Sequence, residues 1–169
     1  LNFCIGNSLS GLEWAGGLPG TIGGAVRGNA GAFKGETKDN VLAVRSLDIK
    51  TLEEKERISS ECRFGYRDSI FKSGIGSQEF IASVILEFKS GNKEEIKEKI
   101  QQKIDYRINR HPMDLPNIGS TFKNIPLDLL SKDLQKEFAG FVKTDPFPVV
   151  HTTKLLAFSD LKGRRVGDA

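Results

Sequence analysis

The chain has 169 residues, 38% hydrophobic and 28% charged, with a net charge of +3. That length suits one or two small domains, and the balance is that of a folded soluble chain, not a disordered one. No apolar run approaches the ~20 residues of a membrane helix, and so small a charge excess argues against nucleic acid as a partner.

Residues 1 to 9 read as the last turns of a helix or a short strand, ending in the turn residues Asn7 and Ser8. Gly11 to Glu36, GLEWAGGLPGTIGGAVRGNAGAFKGE, then carries glycine at 11, 16, 17, 20, 23, 24, 28, 31 and 35. Each interior glycine costs a helix ~1 kcal/mol relative to alanine, so an ordinary helix is not expected. Leu12, Trp14, Leu18, Ile22, Val26 and Phe33 need burial, which argues against a flexible linker. Two readings stay open on the residues alone. One is a folded loop whose amides cradle an anion such as phosphate. The other is a set of tight turns between short strands. Neither G-x-x-x-x-G-K-[ST] nor G-x-G-x-x-G is present, so the P-loop and Rossmann fingerprints are excluded.

Val41 to Ile49 alternates as a strand, with Val41, Ala43 and Leu47 on one side. The charged run from Lys50 to Arg57 reads as a surface hairpin turn, and Ile58 to Cys62 as the returning strand. Phe64 to Phe71 reads as a tight turn presenting Tyr66 and Arg67, with Asp68-Ser69 as a possible cap. Residues 79 to 89 form the clearest strand, and apolar residues on both faces predict burial on both. Residues 92 to 110 form the clearest helix, capped by Asn92 with Glu95 as in a capping box, striped by Ile96, Ile100, Ile104 and Ile108, and stopped by Pro112. A domain boundary is expected near Ser90-Gly91. Pro116 to Asn124 reads as a loop into a short strand, 127 to 141 as helix, and 145 to 148 as a proline-bearing linker. Thr152 or Thr153 would cap a last helix ended by Gly163.

Cys4 and Cys62 lie far apart and outside any CxxC setting, so neither a zinc site nor a disulfide framework is indicated, and a reducing cytosol is the default. No signal peptide is visible. His111 and His151 have no ligand spacing, and no histidine near Ser120 suggests a hydrolase triad. From spacing alone Ser120 reads as a turn serine, yet a polarised hydroxyl can also donate a proton to carbon. Arg67 reads either as a surface arginine stacked on Tyr66 or Phe64, or as a fixed planar donor for an enolate or carboxylate. Arg107 and Arg110 suit a helix C-terminus without any function, and both could also reach a diphosphate. The same holds for Lys123 and Asn124.

Five stretches carry a resemblance. They are Gly11-Leu-Glu-Trp14 with Gly17 to Ala25 and Gly28 to Phe33; Tyr66-Arg67-Asp68-Ser69; Arg107 and Arg110 before His111-Pro112; Gly119-Ser-Thr-Phe-Lys-Asn124; and Leu161-Lys-Gly163 with Val166-Gly167. In this order they resemble the UDP-N-acetylenolpyruvoylglucosamine reductases (the MurB family) over essentially the whole chain. Here Lys34 stands at a usual glycine, and Ile125 moves the usual proline to 126. Related FAD-linked oxidases share the P-G-x-x-G-G core but not the G-S-x-F-K-N stretch.

The resemblance implies an α+β fold: part of an FAD-binding domain of vanillyl-alcohol-oxidase type over 1–90, then a truncated MurB-type substrate-binding domain over 91–169. It implies a flavoprotein oxidoreductase of peptidoglycan synthesis. FAD reduced by NADPH would pass hydride to UDP-N-acetylglucosamine enolpyruvate, giving UDP-N-acetylmuramate. Leu18, Pro19, Gly20, Gly23, Gly24, Asn29, Ala30 and Gly31 would contact the flavin. Arg67 would steady the enolate-like charge and Ser120 supply the proton. Tyr66, Arg107, Arg110, Lys123 and Asn124 would bind substrate. A cytoplasmic monomer without metal, nucleic acid or membrane partner is expected. Leu1 is not methionine and the chain ends abruptly at Ala169, so an inactive fragment is expected, lacking the N-terminal flavin lobe and a C-terminal glutamate. The short, tyrosine-free piece Lys72 to Gln78 points to the short-loop type of the family. The alternatives are another FAD-linked oxidoreductase of this fold and a non-catalytic nucleotide-sugar or flavin-binding module.

Overall fold

The computed structural model describes residues 1–111, 119–144, 147–159 and 161. The chain divides into two compact units, Leu1–Pro112 and Met113–Ala169.

The first unit opens with helix α1 (Asn2–Gly6) and strand β1 (Leu9–Ser10). A 3-10 turn at Glu13–Ala15 then buries Trp14. The glycine stretch contains a helix after all. Helix α2 (Ile22–Arg27) holds Gly23 and Gly24 in its interior, and it survives because Thr21 caps it, accepting from the Gly24 amide at 3.1 Å, while Val26 is fully buried. Beyond it, β2 (Gly31–Ala32) and β3 (Gly35–Glu36) form a two-residue hairpin. Phe33 and Lys34 at its tip both have positive φ, 50° and 69°. Hairpins of two loop residues need that backbone to match strand twist, and side chains other than glycine adopt it at a cost. The stretch is thus a set of tight turns around a short helix.

Strands β4 (Val41–Asp48) and β5 (Glu54–Ile58) pair antiparallel. The hairpin turn is thus Ile49 to Glu53, and the charged residues expected in a turn belong to an edge strand. Ile58 to Cys62 is not the returning strand, since Ser59–Cys62 is a 3-10 turn. Alternation along β4 also fails: Val41, Ala43, Val44 and Ser46 are buried, because the pairing with the strand at Glu79–Leu86, on the other side from β5, shifts register at Val41/Ala43 and Arg45/Ser46.

The turn at Gly65–Asp68 closes with paired backbone hydrogen bonds of 3.0 and 3.2 Å. Ser69 begins helix α3 (Ile70–Ser73), but its hydroxyl donates to the Arg27 carbonyl at 2.7 Å and does not cap the helix. The end of α3 and a 3-10 turn at Ile75–Gln78 make up the Lys72 to Gln78 piece. Strand β6 (Glu79–Leu86) completes the sheet in the order β5-β4-β6. It is half-buried, not buried on both faces: Ile81, Val84 and Leu86 pack on the core of Val26, Val41, Val44, Cys62, Ile70 and Phe71, while Phe80 is 65% exposed. Cys4 and Cys62 are buried free thiols, and burial pushes Cys62 up to about 11.

Strand β7 (Lys89–Ser90) pairs with β1, and helix α4 (Lys93–Ile108) follows. Asn92 caps it by accepting from the Glu94 and Glu95 amides. The buried stripe runs Ile96, Ile100, Arg107, whereas Ile108 is half-exposed; a 3.6-residue period carries the inner face to 107, not 108. Helix α4 packs on the Glu13–Ala15 turn, α1 and β1. For that reason the break in packing does not fall at Ser90-Gly91; the helix closes the first unit instead of opening the second. Its expected stop, Pro112, lies outside the described residues.

The second unit contains a small sheet of order β8-β10-β9, made from β8 (Ile125–Pro126), β9 (Val142–Lys143) and β10 (Val149–Val150). The expected helix over 127 to 141 is broken. A 3-10 turn at Leu127–Leu129 precedes helix α5 (Lys132–Glu137), because Leu130 is extended and Ser131 restarts the helix as its cap. Helix α6 (Thr152–Phe158) has His151, not a threonine, at its cap position. Phe138 is buried with Phe141 and Phe158 against it. Gly163, the segment 162–169, residues 145–146 and the loop start at 116–118 lie outside the described residues.

Candidate active site

Arg67 sits on the Gly65–Asp68 turn with φ 53°, a conformation that aims its side chain back at the glycine stretch. Its Nη2 donates to the Gly31 carbonyl and its Nη1 to the Asn29 carbonyl at 3.5 Å. Glu36 Oε1 lies 3.6 Å from Nη1, and the guanidinium covers the Tyr66 ring at 5.1 Å. About a third of the side chain stays exposed. The result is a cation locked in orientation with one side open, the arrangement a fixed anion stabiliser needs.

Asn29 locks the other side of the contact. It is fully buried, with Nδ2 donating to the Gly65 carbonyl at 2.9 Å and to Glu36 Oε2 at 3.1 Å, and Oδ1 accepting from the Lys38 amide at 3.0 Å. Its side chain therefore ties the glycine stretch to the Tyr66–Arg67 turn. Glu36 gathers Asn29, Arg67 and Lys38, the last at 2.9 Å. The sequence reading gives Glu36 no role; its place at the end of the N-A-G-x-x-x-x-E run is the available signal.

At Gly31 the backbone and the Arg67 side chain crowd closely. An added Cβ would lie 2.8 Å from the Gly35 carbonyl oxygen and 2.9 Å from both Arg67 Nη1 and Glu36 Cγ. Gly31→Ala is therefore expected to push Arg67 off its two carbonyls and to destabilise the protein by about 1–3 kcal/mol, the usual range for overpacking. Chemical denaturation of the variant, with the Arg67 Nε–H signal followed by NMR, checks both parts; an unchanged signal would show that Gly31 does not set the arginine.

The segment from Leu18 into the first turn of α2 at Gly24 is mostly exposed, with Gly20 at φ 129°. A Cβ at Gly20 would meet nothing within 4 Å, and at Gly23 only Ile81 at 4.0 Å. Open backbone faces space there, which suits a phosphate-bearing ligand better than a packed core does. Ala30 is half-buried, and its carbonyl accepts from the Thr37 amide and hydroxyl.

Arg110 is exposed over the Tyr106 ring at 4.5 Å, and Arg107 is buried. Ser120, Lys123 and Asn124 belong to the second unit. Gly119 takes positive φ, 76°, and Ser120 is exposed. Asn124 Oδ1 accepts from the Thr152 amide at 3.2 Å, and the Lys123 carbonyl accepts from the Thr152 hydroxyl, so the start of α6 anchors this loop. Burial, with Lys143 and Lys154 nearby, lowers the neighbouring His151. Among the described residues no group of His, Cys, Asp and Glu could hold a metal ion, and no helix is long and apolar enough to cross a membrane.

No protein-family model matches the chain. Whole-sequence comparison is more informative. The chain is 43% identical over 122 residues to the UDP-N-acetylenolpyruvoylglucosamine reductase of Thermotoga maritima, covering 72% of this chain and 41% of the relative. It is 42% identical over 116 residues to that of Clostridioides difficile, 68% and 36%, and 32% identical over 163 residues to that of Pseudothermotoga lettingae, 96% and 48%. The chain thus spans under half the length of these curated relatives. The crystal structure of UDP-N-acetylenolpyruvylglucosamine reductase (MurB) from Thermus caldophilus matches with a TM-score of 0.61, over 97% of this chain and 64% of that one, at 24% identity. Its homologues are thus UDP-N-acetylenolpyruvoylglucosamine reductases, and the α+β fold of this chain is the one seen in MurB.

Proposed function

We propose that the chain serves the NADPH-dependent, FAD-containing reduction of UDP-N-acetylglucosamine enolpyruvate to UDP-N-acetylmuramate, a cytoplasmic step of peptidoglycan precursor synthesis. The observation that carries this reading is the interlock of Arg67 with the Asn29 and Gly31 carbonyls, which joins the glycine stretch to a fixed cation.

The residues fit a flavin. Gly20 leaves backbone open to a ligand, Leu18, Pro19, Gly23 and Gly24 stand beside it along the chain, and Asn29, Ala30 and Gly31 follow helix α2. When bound, FAD would supply hydride chemistry between NADPH and the enolpyruvyl double bond. Hydride addition beside a carboxylate leaves negative charge on that carboxylate. Arg67, already oriented by two carbonyls and Glu36, stabilises that charge without reorganising. Ser120, on the loop anchored by Asn124 and Thr152, donates the proton to the adjacent carbon. Tyr66, Arg110, Lys123 and Asn124 serve the nucleotide-sugar.

The test is spectroscopic. Purified full-length protein should be yellow, NADPH should bleach it, and the enolpyruvyl substrate should restore the colour. Protein that holds no flavin would point to a binding module, and flavin that NADPH does not bleach to another oxidoreductase of this fold.

A further inference from the structure

Arg107 in the last turn of helix α4 and Arg110 just beyond the helix have opposite surroundings. Arg110 is exposed, while Arg107 is only 8% exposed. Arg107 Nε donates to the Gly16 carbonyl at 2.7 Å. Gly16 is itself buried, and a buried carbonyl needs a donor. The helix crosses this point so closely that a Cβ at Gly16 would meet the Ile100 carbonyl oxygen at 2.5 Å. One residue on, Gly17 has φ 71°, and a Cβ there would lie 3.0 Å from Arg107 Cδ. The same guanidinium lies over the Phe33 ring at 5.2 Å, and Phe33 stacks edge-on against Tyr106 at 5.1 Å. Arg107 thereby touches both ends of the glycine stretch: the turn that leads into Leu18–Gly24, and the strained tip of the β2–β3 hairpin. Burial lowers its affinity for a proton, and among the described residues its Nη2 has no acceptor.

We propose that Arg107 is a positioning residue for the glycine stretch and not a contact to the substrate diphosphate. It fixes the spacing between the Gly16 turn and the Phe33 tip, and so holds the Leu18–Gly24 backbone in its open form. The consequence for flavin binding rests on the function proposed above; the consequence for the loop does not.

Two measurements separate these. The first is amide hydrogen exchange on the ligand-free protein. Arg107→Met keeps the stem and removes the donors, so exchange across residues 16–28 and 31–36 should quicken by about tenfold or more, with β4 and β6 unchanged. Arg110→Met should leave both regions as they are. Arg107→Met with wild-type exchange in the glycine stretch would overturn the proposal. Should Arg107→Met lose protection everywhere, Arg107→Lys, which keeps charge and stem but not the Nε–H, decides: wild-type exchange there would equally overturn it.

The second measurement uses the flavin-loaded full-length protein with FAD as the probe. Arg107→Met should raise the FAD dissociation constant about tenfold or more and leave the substrate KM at saturating FAD nearly unmoved. Arg110→Met should do the reverse. A raised KM with unchanged FAD affinity in Arg107→Met makes Arg107 a substrate contact and ends the proposal. Wild-type protein that binds no FAD ends the flavin reading instead, and the exchange result then decides the role of Arg107.

Discussion

Glu79→Ala should lower the unfolding free energy by about 3–5 kcal/mol, the cost of leaving one partner of a buried ion pair uncompensated. The Glu79 carboxylate is 1% exposed and Arg57 12%. Arg57 holds it with two hydrogen bonds of 2.5 and 2.8 Å, Ser46 adds one of 2.6 Å, and Lys55 approaches at 3.4 Å. Arg57 also lies over the Phe71 ring, so the pair is built into the main core. Replacing both partners, Arg57→Met with Glu79→Leu, should cost far less than Glu79→Ala, because no charge is stranded. Urea unfolding followed through Trp14, the single tryptophan, reads both. A loss below about 1 kcal/mol for Glu79→Ala would mean the pair is effectively solvated.

The same pair sets a pH dependence. Burial pushes the Glu79 carboxyl up, but the Arg57 and Ser46 hydrogen bonds and the Arg57 charge outweigh it and hold it below its ordinary 4.5. A depressed folded value means the stabilisation is complete above about 4.5 and is lost as pH falls through the lower folded value. Glu79→Ala should accordingly flatten the acid limb of the stability profile.

On the proposed function, Ser120→Ala should slow turnover of the enolpyruvyl substrate by roughly 10²–10⁴-fold, the usual share of general acid catalysis. Bleaching of the flavin by NADPH should stay nearly intact, since only the second half-reaction needs a proton at carbon. Stopped-flow absorbance of the full-length enzyme measures the two halves separately. Equal loss in both would make Ser120 a turn serine, held beside Gly119 for its backbone alone.

What the sequence disclosed depended on how local the determining forces were. Helix α4 was legible because its cap and its isoleucine stripe lie within the helix itself. Its last inward position was not, because hydropathy assigns an isoleucine to the core ahead of an arginine, and only the distant Gly16 carbonyl reverses that choice at Arg107. Strand β5 is hidden from local pattern for the same reason. Lys55 and Arg57 look like solvent-facing charges until Glu79, more than twenty residues on, turns their side of the strand inward. Helix α2 was hidden by Gly23 and Gly24, whose low propensity is overcome by the Thr21 cap and the burial of Val26. The Tyr66–Arg67 turn and the Asn29–Gly31 run were both singled out, but not their union. That union rests on backbone carbonyls and on the contacts of Glu36, and nothing local in the sequence pairs the two segments.

The hydrogen bond between Gly16 and Arg107 spans 91 residues. On a ribosome adding about 5–20 residues per second, its two ends are made about 5–18 s apart. Throughout that interval the glycine stretch exists without its clamp, while β4, β5 and β6 can already pair with one another. The glycine stretch is therefore made before the helix that clamps it and takes its shape only after that helix docks. Until helix α4 docks, the nascent chain exposes Trp14 and the Gly16 turn as a site for chaperones or proteases, and a pause in translation before Arg107 would prolong that exposure directly.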